Sequence, residues 1–171
     1  MFETLSSCVL VLVVSGVAQV PTQPDFSGEW VLLATDASFD APATLVVRQR
    51  VTRTNSRGEP MAPYFSHLIV ERHYSNRVES DSYDIGIVSG TVSGTAERTI
   101  VRVTWQGERL VMKTGTYSSP PQEPGPYSEH EEVWSLDPDG RLLITITDRS
   151  SDSQPVTVRL TYQRRAAAQL D

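Results

Sequence analysis

Apolar and polar residues alternate through most of this chain, with the two-residue period of a strand that buries one face. Val156, Val158, Leu160 and Tyr162 alternate with Thr157, Arg159, Thr161 and Gln163. Thr99, Val101, Val103 and Trp105 share one face, with Arg102 and Thr104 on the other. Over 44–53, Leu45, Val47 and Val51 oppose Arg48, Arg50 and Thr52. Two look-alike hairpins stand out, one around Trp105 (101–112) and one around Trp134 (132–144). Each has an alternating strand carrying the Trp, a turn containing Gly107 or Gly140, and an Arg-Leu pair opening the next strand.

Further strands are predicted at 28–33, 65–74, 109–117, 129–136, 141–149 and 156–164, with a weaker one at 83–88. Breaks fall at 55–60, in the polar segment 75–82, and at 118–126, where prolines cannot donate to a ladder. No helix of ten residues is predicted, the Ala166–Ala168 tail aside. That leaves about eight to nine strands of the one-face-apolar kind that antiparallel sheets show, and a sheet of that size curls or closes to remove its edges. The expected fold is all-β, an antiparallel up-and-down meander barrel, with a two-sheet β-sandwich as the alternative.

The first residues differ in kind. The run 9–20 is almost wholly apolar, and Gly16-Val17-Ala18 offers the small residues of a cleavage site. The expected organisation is a signal peptide at 1–18, a leader at 19–25, a barrel at 26–165 and a tail at 166–171. Cys8 is the only cysteine and would leave with the signal, so no disulfide or cysteine nucleophile is expected in the mature chain. Export without a disulfide framework points to a bacterial envelope, a secreted or periplasmic protein. A net charge of −6 argues against a nucleic-acid partner. No membrane span is expected after cleavage, and the size suits a monomer. All but one of the fifteen basic residues are arginine, which the codon bias of a GC-rich genome explains as well as any binding role.

Asp25-Phe26-Ser27-Gly28-Glu29-Trp30 opens the barrel, and Gly-x-Trp at the start of a first strand resembles the lipocalin and calycin opening motif. The longer run from Pro24 to Trp30 also resembles small exported bacterial proteins of unassigned function, which share the Trp134–Leu142 type of hairpin. The resemblance spans 26–164 and implies a barrel in which Trp30 of the Gly28-x-Trp30 motif plugs the closed end, with Arg159 or Arg164 from the last strand across the Trp. The second lipocalin motif survives only as Thr147-Asp148, followed by Arg149, and the C-terminal helix is missing.

Candidate chemistry is sparse. His67 and His73 share a predicted face with Phe65, Ile69 and Glu71. Six residues of strand hold them roughly 20 Å apart, too far to share an ion, so His73–Glu71 is the one adjacent pair. His130-Glu131-Glu132 adds to a site only if its strand neighbours that one, and solvated side chains are preferred to a metal centre. There is no Gly-x-Ser-x-Gly elbow, and Asp137 and Asp139 sit in a Pro-Asp-Gly turn that favours Asp on backbone grounds. No catalytic residue, cofactor or metal is assigned. The candidate ligand-binding side chains are Trp30, Trp105, Trp134, His73 and Tyr162. They support an exported, non-catalytic barrel that takes a small hydrophobic or amphipathic molecule. The rivals are a filled-core interaction module of the cell envelope and, more weakly, a barrel enzyme with His73 or His130 as base. What separates them is the volume of the interior.

Overall fold

The computed structural model describes residues 23–35, 39–93, 97–118 and 126–166. The expected signal peptide, most of the 118–126 loop and most of the tail lie outside the described residues. Ten strands form one antiparallel sheet: β1 (Gly28–Thr35), β2 (Thr44–Thr54), β3 (Pro60–His73), β4 (Val78–Asp84), β5 (Val88–Ser93), β6 (Glu97–Gln106), β7 (Arg109–Ser118), β8 (Ser128–Leu136), β9 (Leu142–Ser150) and β10 (Ser153–Arg164). Each pairs with its neighbours in sequence, and β1 also pairs with β10, so the meander curls round to meet its own start. The exception is β4 and β5, which stand at the two ends of the order and leave a seam. The fold is thus an all-β up-and-down barrel left incompletely closed, and one continuous sheet replaces the two of a sandwich.

The seam is stitched at one end by the turn between β4 and β5. The Ile85 amide donates to Ser66 O at 2.9 Å and the Gly86 amide to Val103 O at 2.7 Å, reaching both flanking strands. Gly86 manages this at a φ of +86°, where a side chain would add strain.

The closed end is packed with aromatic rings. Phe26, Trp30 and Trp134 are fully buried, with Leu68, Leu110 and Leu142 around them. Phe26 stacks on Trp105 (centroids 5.8 Å apart) and meets Trp134 edge-on at 6.0 Å, contacts worth about 0.5–1.5 kcal/mol each beyond the area they bury. The Trp30 indole donates to Phe26 O at 2.8 Å, which ties the leader across the barrel floor.

Four expectations need correction. The polar segment 75–82 is not a break, because it contains most of β4. Its inward positions Glu79 and Asp81 face a cavity, and only Tyr83 at its end also packs against the core, so no apolar alternation marks it. On β3 the inward face carries Leu68, Val70 and Arg72, which places His67, Ile69, Glu71 and His73 on the other face. A register shift at Ser66 puts Phe65, which lies against Trp105, out of phase with them. Val51 and Val156 have the inward parity but sit beyond the last core layers, and are 41% and 59% exposed. Finally, Arg164 and not Arg159 covers Trp30, at 4.5 Å from the ring. The β1–β10 register sets Arg164 directly opposite Trp30, whereas Arg159 stands opposite Thr145, exposed on the outer face.

Candidate functional site

Above the aromatic floor the barrel opens into a cavity of about 280 Å³. Its apolar wall is built from alternate residues of three strands: Leu45 of β2, Ile144 and Ile146 of β9, and Leu160 of β10. Tyr162 continues that wall and donates its hydroxyl to Pro42 O at 3.1 Å, holding the β1–β2 connection over the mouth. Opposite the wall, β3, β4 and β8 present charged groups.

The central group is Arg72. Its side chain is 11% exposed and crosses the interior from β3 to β8, joining residues sixty positions apart in the chain. Nη1 donates to Asp81 at 2.5 Å, and Nη2 to both oxygens of Glu132 at 3.0 and 3.2 Å. Glu132 is the one charged residue among the buried set of the described residues. It also accepts from the Trp134 indole at 2.8 Å and from His130 Nε2 at 3.2 Å, while His130 Nδ1 reaches Asp148 at 2.6 Å. A buried carboxylate must be paired on this scale to stay ionised.

The electrostatics follow from these contacts. Burial would raise the Glu132 carboxyl, but His130, Arg72 and the Trp134 N–H hold it below the usual carboxylate range. The hydrogen bond that His130 donates to Glu132 carries its pKa up to about 9 against its burial, with Asp148 adding to the effect. Burial also opposes the charge on Arg72, and Glu132, Tyr83 and Asp81 more than restore it. Burial pushes the Tyr83 phenol up to about 12 and raises Tyr162 as well.

Of the side chains singled out in the sequence, Tyr162 and His130 line the cavity. Trp30 and Trp105 pack the closed end, and Trp134 touches the site only through its bond to Glu132. His73 is not in the lining; its Nε2 lies 3.7 Å from Glu71 on the outer face. His67 is taken up by Asp84 at 2.8 Å and Ser82 at 3.0 Å, also outside. Sequence reasoning missed Arg72, Asp81 and Tyr83, and named Glu132 only in the conditional His130-Glu131-Glu132 set. The parity of Glu132 with Trp134, and of Arg72 with Leu68 and Val70, is the signal that could have found two of them.

His130 is poorly placed to act as a base. With both ring nitrogens of His130 donating to carboxylates, the imidazolium has no lone pair to accept a proton at neutral pH. Among the described residues no three His, Cys, Asp or Glu side chains are grouped to hold a metal ion.

No family model matches this sequence, and no curated protein matches it. Among solved structures, the chain is similar to a "REP1-NXSQ fatty acid transporter", at 12% identity and a TM-score of 0.47, over 82% of this chain and 96% of that one. It is similar to "Human cRBP IV" at 14% identity and the same TM-score of 0.47, over 83% of this chain and 99% of that one.

Proposed function

We propose that this barrel binds a small amphipathic molecule in its open end and carries out no chemistry on it. The observation that carries the reading is the cavity itself: about 280 Å³, with an apolar wall facing a fixed, hydrogen-bonded polar set. Rigid polar groups in an otherwise apolar concavity are how small-molecule sites fix orientation. The size limits the guest. An apolar cavity of about 150 Å³ admits benzene, so this one suits a single ring with a short arm, or a short chain, rather than a long acyl tail. The aromatic floor takes the space below, so the interior is half filled and half open.

Export belongs to the same reading, with the mature chain beginning at Gln19 and working in the periplasm or outside the cell. N-terminal sequencing of the protein from the cell envelope tests it, and an unprocessed Met1 would end it. Binding is tested by native mass spectrometry of the protein before and after exposure to a total small-molecule extract of the producing cells. An added mass, lost on denaturation and absent from Leu160→Trp, is expected, because the indole would occupy the cavity. A clean apo mass under both conditions would favour the filled-core interaction module.

A further inference from the structure

The chemistry of the cavity bears on the charge of its guest, a question that rests on the binding reading above and concerns the same site. Four aromatic side chains, Phe39, Tyr74, Tyr83 and Tyr162, line the space. Ring faces attract cations through their quadrupole, and aromatic enclosures recognise organic ammonium groups. One ring already shows the behaviour: the Arg77 guanidinium lies 3.7 Å above the centroid of Tyr74.

The charges agree. Among the described residues, every cation lining the cavity or pairing with its carboxylates is committed. Arg72 is spent on Asp81 and Glu132, His130 on Glu132 and Asp148, and Arg77 on Glu79 and Asp40. Of the groups that line the cavity, two cations, Arg72 and His130 (counted as charged), face three carboxylates, Glu79, Asp81 and Glu132, while Arg77, Asp40 and Asp148 pair with them from outside the lining. An incoming carboxylate would find no free cationic donor and an excess of negative charge. An ammonium group would find spare lone pairs on Asp81, whose side chain is 45% exposed and whose hydrogen bond from Arg72 engages one of its two oxygens.

We propose that the cavity selects a small organic cation, an amine or quaternary ammonium whose apolar part lies against Leu45, Ile144, Ile146 and Leu160. The test uses three probes of equal length, hexylammonium, 1-hexanol and hexanoate, titrated calorimetrically into the full chain at low ionic strength. Hexylammonium is expected to bind at least tenfold more tightly than hexanoate, with hexanol between them. Glu79→Gln at the rim should shrink the ratio several-fold without touching the Arg72–Glu132 pair, and Tyr83→Leu should weaken the ammonium more than the alcohol. Hexanoate binding as tightly as hexylammonium, or more tightly, overturns the choice of cation while the binding reading stands. Failure of all three probes to bind, with wild type indistinguishable from Leu160→Trp, overturns both.

Discussion

Glu132→Gln is the most informative single change, because it removes a charge and almost no volume. The carboxylate is buried, 8% exposed, and accepts from Arg72, His130 and Trp134. Removing one partner of a buried ion pair costs about 3–5 kcal/mol, because the remaining charge is left without compensation. Here Arg72 keeps Asp81 and His130 keeps Asp148, so the lower end, about 3 kcal/mol, is the better figure. Against a total of roughly 5–15 kcal/mol for a single domain, that is a large fraction. With a urea m-value of about 2 kcal/mol/M, the unfolding midpoint should fall by about 1.5 M. Tryptophan fluorescence reads the transition from inside the network, since the Trp134 indole is one of the donors to Glu132. The cycle is closed with Arg72→Met and the double variant Arg72→Met/Glu132→Gln. Each single leaves a buried charge without its partner, whereas the double leaves neither, so the double variant should be less destabilised than the sum of the singles by at least about 1.5 kcal/mol. A midpoint for Glu132→Gln within about 0.3 M of wild type, or strict additivity in the cycle, would refute the claim that this pair spans the interior as a unit.

Three further outcomes are expected. His130 has its pKa raised to about 9, first by Glu132 and then, against burial, by Asp148; because that lies above its unfolded value of about 6.5, its contribution is full below pH 6.5 and lost as pH rises through 9. Urea midpoints should therefore fall across that window in wild type and less so in His130→Gln, and parallel profiles would sink the assignment. At the closed end, Gly28→Ala places a side chain at a φ of +136°, so a loss of more than about 1 kcal/mol is expected from the backbone alone; Arg164→Ala should cost about 0.5–1 kcal/mol through the Trp30 contact, and Arg159→Ala should leave the thermal midpoint unchanged. Leu68→Ala in the floor should cost about 2–5 kcal/mol by chemical denaturation, while Val156→Ala at the exposed rim should stay within about 0.5 kcal/mol.

The strands legible in the sequence are those that bury a face against the common core. β10 is the clearest: Val158, Leu160 and Tyr162 are buried and the intervening residues are not, as their alternation requires. The Trp105 and Trp134 hairpins are the β6–β7 and β8–β9 units, and Asp137 shapes the second turn by accepting from the amides of Asp139 and Arg141. Asp in that turn is structural, as its position before Gly140 implies. β4 is silent for the opposite reason. Standing at the seam, it has one strand neighbour, and its inward residues line open space. A strand with a single ring, Tyr83, to pack against the core leaves no periodic trace.

That same condition hides the site. A hydrophobic period reports where side chains meet other side chains in the core, and a cavity is by construction where they do not. Arg72 and Glu132 each lie one alternation step beyond an inward apolar residue, Val70 and Trp134, so the pattern marks the end of the packed core and is blind to the layer beyond it. Their pairing is then fixed by closure of the sheet, which brings β3 and β8 face to face across the interior although neither strand pairs with the other. Local sequence cannot encode that distance. What it does encode is the anomaly of a guanidinium or carboxylate with inward parity, occurring once on β3 and once on β8, and of opposite sign. A barrel with a fully packed interior would have to bury an isolated charge at each of those places, at a cost no surface pair could offset. The two exceptions therefore predict each other: once the sheet is known to curl, Arg72 and Glu132 must meet, and the space around them must be polar enough to keep both charged.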